Sequence, residues 1–409
     1  INFILEAFLA QDEQSQEGNN SICILPWIHQ HGDLEGNYAP CCFTLASKDS
    51  FFGKGMSPLQ AFNSSYMKSL RLGMLNNQKP TPCAVCYNWE NNGIESHRKR
   101  MNSLYSNYSH LYTKTNIDGS LDSPPIYLDF RFGNLCNFSC RMCGSYASSS
   151  WSKEEKYHKV LSTDSPNHYD YWTDNDLFWE DLEKIKKYIK VLYFAGGEPF
   201  VQEGHYKMLE LFVNSGLAKD VKLSYNTNLS YQGTFKGYDL EYLWSYFKNV
   251  ELWPSIEGFE KRAEYGRKGL SMNLFKSNSE KFLKYISTFS LVSSVYSITS
   301  NIELIKWIKS INKTFSITNC ENRDFHSTTI FSKEIKRKIL SNYKVYLNNN
   351  QKLSSHEINS IIDSLKHMMS RDDSHLTEKF KLFNLRSDLY RSESFESVFP
   401  ELAEWYKNI

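Results

Sequence analysis

The sequence predicts an α/β protein: a partial (β/α)6 TIM-like barrel with a small cysteine-rich N-terminal domain and a helical C-terminal extension. Three observations lead there. From Ile126 to about residue 330 short β-rich runs alternate with helical patterns, and such alternation argues for parallel βαβ units. Between residues 20 and 100, five of the nine cysteines gather among Gly/Pro turns. Beyond residue 330 the pattern is helical and polar and holds no cysteine.

The β-rich runs are Ile126–Arg131, Val191–Ala195, Val221–Asn226, Val250–Ile256, Val292–Thr299 and Thr314–Thr318. Helical patterns lie between them at Asp176–Lys190, His205–Ser215, Asp239–Phe247 and Ser279–Phe289. Six such units suit a partial barrel, whose ligands gather at the C-terminal ends of the strands; a doubly wound open sheet is the main alternative. The expected organisation is a domain at 20–100, a connector at 101–125, the barrel at 126–330 and the extension at 331–409. In the first part Pro58–Leu75 is one amphipathic segment. Asn107, Ser109, Asn116, Gly119, Ser120, Ser123, Pro124 and Pro125 give the connector its turn chemistry.

Bulk composition narrows the function. The 409 residues carry 47 basic and 46 acidic side chains, a net charge of +1. No basic stripe of the kind nucleic acid requires is present, and His97-Arg98-Lys99-Arg100 reads as a solvated helix face. No apolar stretch approaches the ~20 residues that cross a bilayer. Ile1–Glu6 has neither the basic start nor the long apolar run of a signal peptide; it also lacks an initiator Met. An odd number of cysteines grouped as in metal sites points to a reducing, cytoplasmic setting.

The decisive stretch is Leu135-Cys136-Asn137-Phe138-Ser139-Cys140-Arg141-Met142-Cys143-Gly144, directly after the first run. Cys136, Cys140 and Cys143, spaced C-x3-C-x2-C, suit one face of a [4Fe-4S] cubane, each thiolate taking a separate iron. The fourth iron is then open to a ligand. Zinc asks for a fourth ligand, and nothing nearby supplies one. Further on, Gly196-Gly197-Glu198-Pro199 ends the second run; glycines permit close backbone approach and Glu198 offers an acceptor.

This pattern resembles the radical S-adenosylmethionine (SAM) superfamily. The resemblance implies that SAM chelates the open iron and is cleaved reductively to a 5′-deoxyadenosyl radical. It implies Gly196, Gly197, Glu198 and Pro199 at the SAM amino group. It implies a place near the adenine for Met142, where relatives often carry an aromatic residue. Asn226 and Asn228, in Leu223–Asn228, are implied at the ribose, and Ser255 and Arg267 are implied as further contacts, the arginine at the SAM carboxylate. Glu257 departs from the family's Asp, which leaves its role open.

Cys23, Cys41, Cys83 and Cys86 offer four thiolates from two segments, enough to close a second [4Fe-4S] cluster, with structural zinc as the alternative. The stretches Cys23–Trp27, Gly36 with Pro40-Cys41-Cys42, Pro58–Ser64 and Pro82–Cys86 resemble the Twitch and SPASM auxiliary-cluster modules. One auxiliary cluster corresponds to the Twitch version, here N-terminal. The resemblance favours Cys41 over Cys42, which is expected to be a buried small residue. Cys320 is expected to be ordinary packing, and His29 and His31 to be surface or packing residues.

No general acid–base pair or Ser/His/Asp set is apparent. The resemblance, with its two cluster sites, implies a radical SAM oxidoreductase that oxidises or cross-links its substrate. Among Twitch and SPASM relatives a ribosomally made peptide is the commonest substrate; a small molecule such as an aminocyclitol, sugar or nucleotide is the second reading, and a non-catalytic iron–sulfur protein the third. Expected partners are an electron donor such as flavodoxin or ferredoxin and a separately supplied leader-peptide-binding protein, with neither nucleic acid nor membrane.

Overall fold

The computed structural model describes residues 21–44, 55–91, 93, 95–158, 172–231, 233–320, 323–350 and 352–409. In chain order its strands are β1 His29–Gly32, β2 Tyr38–Ala39, β3 Tyr127–Phe130, β4 Ser139–Cys140, β5 Val191–Phe194, β6 Lys222–Thr227, β7 Thr234–Phe235, β8 Tyr238–Asp239, β9 Asn249–Pro254, β10 Arg267–Lys268, β11 Thr288–Ser293 and β12 Thr314–Asn319. The chain divides into two units. The first joins the residues up to Phe130 with Trp172–Tyr193; the second joins those from Arg131 to the break after His158 with Phe194 onward.

In the first unit β1 pairs antiparallel with β2 and parallel with β3. Pro58–Leu75, expected as one helix, is two: Pro58–Phe62 and Ser65–Leu75. Local chemistry explains the break. Ser57 and Gln60 form a reciprocal capping box at the first start, and the Ser64 hydroxyl accepts from Met67 N at the second; a serine in cap geometry ends one helix as it starts the next. The two helices pack Phe62, Met67, Leu70 and Met74 against Trp27 and Ile28. Arg71, fully buried there, donates to the carbonyls of Pro26 (2.8 Å), Phe62 (2.7 Å) and Gly119 (3.1 Å). The connector begins inside helix His97–Leu104 and turns at Asn116–Ser120, where Asn116 N donates to Ser120 O.

Of the two expected roles, surface or packing, His29 and His31 take packing: both are buried, His29 Nδ1 lying 3.0 Å from Pro40 O and His31 Nδ1 3.0 Å from Asp129 Oδ2. One expectation about this unit needs correction: Arg98 does not belong to a solvated face. It is buried, donating to Glu90 and to Ile22 O (2.7 Å), because a buried guanidinium needs a carboxylate and further acceptors to offset desolvation.

The second unit carries the strand–helix alternation. Strands β6 and β9 pair in parallel (Tyr225 opposite Leu252, Asn226 opposite Trp253), and β11 pairs in parallel with β12. Bridges from Leu252 to Ile286 and from Ser255 to Ser290 connect the two pairs. One face of these strands buries Leu223, Tyr225, Leu252, Phe289, Leu291 and Phe315. Helices cover it: the Tyr225 hydroxyl meets His205 Nε2 (2.9 Å) and Trp244 Nε1 (3.1 Å), and Phe289 packs on Phe275 and Trp307. The alternate residues, Ser224, Asn226, Glu251, Trp253 and Ser290, therefore occupy the opposite, mostly polar face.

The fifth strand is displaced from its expected place. It runs Thr288–Ser293 rather than Val292–Thr299, and the preceding helix is Met272–Lys281 rather than Ser279–Phe289. Ser271 caps that helix seven residues earlier than expected, and Phe289, read as the helix's last apolar residue, belongs to the strand. Ser294–Ser300 then folds into hydroxyl-bonded turns, with Ser294 N donating to Ser297 Oγ (3.0 Å). Beyond residue 330 the chain is helical, including Lys333–Asn348, Ser355–Ser370 and Thr377–Arg391.

Candidate functional site

Cys136, Cys140 and Cys143 lie on one loop of the second unit, pinned along its length. Ser150 Oγ donates to Cys136 O (2.7 Å), Trp151 Nε1 to Cys140 O (2.6 Å) and Cys143 N to Cys140 O (2.9 Å). The short strand β4 pairs antiparallel with β10, placing Cys140 opposite Arg267. Burial is the main force raising all three thiols, Cys143 to about 12; each of Cys136 and Cys143 is raised further by Cys140, and Arg267 opposes the shift at Cys140. Three thiols thus share one small, poorly solvated space. A proton is hard to remove there without a cation, and iron supplies that charge when it displaces the proton.

Among the described residues no group of three or more His, Cys, Asp and Glu side chains is arranged to hold a metal ion as it stands. A cubane asks for less convergence than a single ion, since each thiolate binds its own iron. The donor set, three clustered thiols on one loop, fits a three-cysteine cluster.

Against this loop packs the Gly-Gly-Glu-Pro turn. Gly196 and Gly197 take φ of +79° and +56°. A Cβ at Gly197 would stand 2.4 Å from Leu135 O, so the close approach made by that glycine is to the cysteine loop's own backbone. Glu198 N and Gln202 Nε2 both donate to Leu135 O, at 2.9 and 2.7 Å. The Glu198 carboxylate is buried: Oε1 accepts from Thr227 Oγ1 (2.7 Å) and Phe200 N (3.2 Å), and Oε2 from Asn228 N (2.7 Å). Burial raises its pKa to about 7 against these hydrogen bonds. Most of its acceptor capacity therefore knots the turn to the end of β6, leaving little for an ammonium group. Pro199 is buried and opens a short 3-10 turn.

The remaining residues expected at SAM fall in two groups. Asn228 is tied to the cysteine loop, Nδ2 donating to Asn137 Oδ1 (2.9 Å). Arg267 is buried and grips Glu257 through Nε and Nη2 (Nη2 to Oε1, 2.7 Å), which gives the departing glutamate a role as its partner. Met142 is buried with its sulfur 3.7 Å from Ser294 Oγ. Asn226 stands on the polar face, opposite Trp253 in register, with a buried Oδ1 that no described atom satisfies; Trp253 Nε1 is in the same state. An unsatisfied acceptor beside an unsatisfied donor is what a bound hydroxyl-bearing ligand completes. Ser255 N donates to Thr227 O (2.8 Å).

Seven charged residues in and beside the loop were not expected from sequence. Arg141, with no exposed side-chain surface, donates to Asp388 (2.6 Å), Glu393 (2.7 Å), Asn384 (3.1 Å) and Tyr265 O (3.1 Å), and its guanidinium lies 3.7 Å from the centre of the Tyr265 ring. Glu155 Oε1 accepts from Ser145 N and from Arg323 Nη2. Arg391 binds Glu154 (2.8 Å) and Ser139 O (2.7 Å). The one signal in the sequence was an arginine between two cysteines of a buried loop.

In the first unit Cys23 and Cys86 are buried and Cys41 and Cys83 half-buried. Burial raises all four thiols, and mutual repulsion adds to it: Cys83 and Cys86 act on Cys23, Cys23 on Cys41, and Cys41 and Cys86 on Cys83. The Arg98 charge opposes the shift at Cys23, Cys83 and Cys86. Cys42 is exposed rather than buried, because Cys41, its neighbour, takes the inward position. Cys320 is buried past β12, its amide bonded to Ser293 O. Gly36, at φ +81°, lies under Trp172, whose Cβ would stand 2.7 Å from a side chain there.

No family model matches the chain, and no curated protein does. Among solved structures the chain is similar to SuiB of Streptococcus suis bound to its precursor peptide SuiA, at 13% identity and a TM-score of 0.36, over 69% of this chain and 63% of that one. It is likewise similar to SuiB bound to S-adenosylmethionine, at 14% identity and a TM-score of 0.35, over 69% and 62%. The chain thus spans less than two thirds of SuiB's length. Likeness of this extent leaves the activity to be argued from the chain's own residues.

Proposed function

We propose that this chain is a radical SAM enzyme that oxidises or cross-links a ribosomally made peptide. The observation that carries the reading is the set Cys136, Cys140 and Cys143: three thiols spaced C-x3-C-x2-C on one pinned loop, each felt by another. Cys136, Cys140 and Cys143 would hold a [4Fe-4S] cluster, which when bound would supply the electron for reductive cleavage of SAM. The protein's own residues do the rest. Glu198 N and Gln202 hold the loop's backbone at Leu135, Gly197 permits that approach, and the Glu198 carboxylate fixes the turn facing the loop. Asn226, at the polar face of β6, offers an acceptor to the ribose, with Ser255, Asn228, Met142 and Arg267 completing the surroundings.

In the first unit Cys23, Cys41, Cys83 and Cys86 are proposed to hold an auxiliary [4Fe-4S] cluster that accepts the second electron from substrate. Their mutual repulsion as thiolates supports this, since a cluster's irons relieve it. All nine cysteines are free, as a reducing cytoplasm would leave them, and no helix of the described residues is long and apolar enough to cross a membrane. An acidic electron carrier such as flavodoxin or ferredoxin is the proposed reductant. The test is release of 5′-deoxyadenosine from SAM and dithionite by anaerobically reconstituted protein. Release that vanishes in Cys136→Ala, Cys140→Ala and Cys143→Ala supports the reading; no release from protein loaded with iron and sulfide overturns it.

A further inference from the structure

Arg391 ends the helix Thr377–Arg391, and Ser392 after it turns to φ +55°. Its side chain is 1% exposed. Nε donates to Glu154 Oε2 (2.8 Å), Nη2 donates to Ser139 O (2.7 Å), and the guanidinium lies 5.0 Å from the centre of the Trp151 ring. Trp151 in turn donates to Cys140 O. Two groups that touch each other therefore hold the carbonyls on both sides of Cys140, those of Ser139 and of Cys140 itself. The third nitrogen, Nη1, is buried and has no partner among the described residues. The neighbouring Arg141 differs: its three nitrogens are all engaged, by Tyr265 O, Asn384, Asp388 and Glu393. A buried cation with an unspent N–H is costly unless an acceptor meets it.

We propose that Arg391 is a positioning residue for the cluster assigned to Cys136, Cys140 and Cys143: it fixes the Ser139 carbonyl beside the middle cysteine and lends its remaining N–H to the sulfur side of the site. This rests on the function proposed above. Hydrogen bonds and positive charge at cluster sulfurs stabilise the more negative, reduced state and so raise the reduction potential. The helical C-terminal segment, which holds no cysteine, becomes part of the redox site.

The test is the potential of the reconstituted cluster, followed by electron paramagnetic resonance as dithionite adds one electron to its oxidised form. With iron and sulfide loading equal to wild type, Arg391→Gln is expected to lower the one-electron reduction equilibrium at least tenfold (59 mV). Arg391→Lys, which keeps the charge and loses the fork, is expected to fall between. Arg386→Gln, on the exposed face of the same helix, is the control and is expected to match wild type. A potential for Arg391→Gln within twofold of wild type in that equilibrium overturns the proposal while wild type still cleaves SAM. If Arg391→Gln loads no iron, Arg391→Lys decides: full loading at a lowered potential supports the proposal, and full loading at the wild-type potential overturns it. Wild-type protein that takes up no iron overturns the proposed function instead, and this inference with it.

Discussion

Arg141→Met removes a guanidinium that has no solvent-exposed surface and bridges the cysteine loop to the Asp388 and Glu393 carboxylates. Breaking a buried ion pair by removing one partner costs about 3–5 kcal/mol. Asp388 and Glu393 keep 12% and 19% of their side-chain surface, so water partly recovers them and the cost lies near the lower bound. Loss of the stack on Tyr265 adds about 1 kcal/mol. Together, about 3–4 kcal/mol corresponds to an opening equilibrium raised roughly 10²- to 10³-fold, at about 1.4 kcal/mol per decade. Amide hydrogen exchange over residues 136–144 in the reduced, metal-free protein measures it, because local openings need not be global ones. The helix Glu203–Asn214, in the same unit but outside this ion-pair network, should exchange as in wild type. Asp388→Asn added to Arg141→Met should restore part of the protection: it removes one stranded charge, while its one side-chain oxygen still accepts from Phe395 N and the Tyr265 hydroxyl turns to accept from the new amide nitrogen. A change of less than tenfold over 136–144 in the single variant refutes the reasoning.

Other outcomes follow from the same geometry. Glu198 has a folded pKa of about 7, raised from 4.5 by burial. Its contribution is fully present below pH 4.5 and is lost as pH rises through 7, a difference of up to about 3 kcal/mol. Denaturant midpoints of the metal-free second unit's signals should fall between pH 5 and 8, and Glu198→Gln should flatten that slope. Gly197→Ala places a methyl 2.4 Å from Leu135 O at φ +56°; iron uptake by the three-cysteine loop should drop severalfold while far-ultraviolet circular dichroism stays near wild type. Cys83→Ser with Cys86→Ser should abolish one paramagnetic resonance signal and product formation yet leave 5′-deoxyadenosine release, whereas unchanged product formation removes the auxiliary cluster from the mechanism.

Sequence pattern revealed most where a residue's role is local. Alternating burial in β9, the C-x3-C-x2-C spacing and the positive-φ glycines of the turn all depend on near neighbours. Misplacement of β11 had a local cause too: Phe289 satisfies a helical period and a strand period alike, and only packing on Phe275 and Trp307 decides between them. What pattern did not disclose was long-range. Arg141 meets Asp388 across 247 positions and Arg391 meets Ser139 across 252, and neither spacing leaves a periodic trace. Glu198 read as a ligand for an ammonium group because its partners, Thr227 and the Asn228 amide, lie on a strand that pattern places only by its bounds.

The first unit is discontinuous in the chain, and this bears on how the protein is made. Trp172 and Phe178 close over Phe130, at ring distances of 5.7 and 5.3 Å, and Trp172 covers Gly36. They leave the ribosome some forty residues after Phe130, about 2–8 s later at usual elongation rates. For that interval the thiols of Cys23, Cys41, Cys83 and Cys86 belong to an unfinished domain. Cys136, Cys140 and Cys143 of the second unit emerge inside the same interval. With Cys42, eight nascent thiols therefore compete for iron or oxidant before either unit is complete, so synthesis under air should yield mixed oxidation at both sites, whereas refolding a finished chain should not.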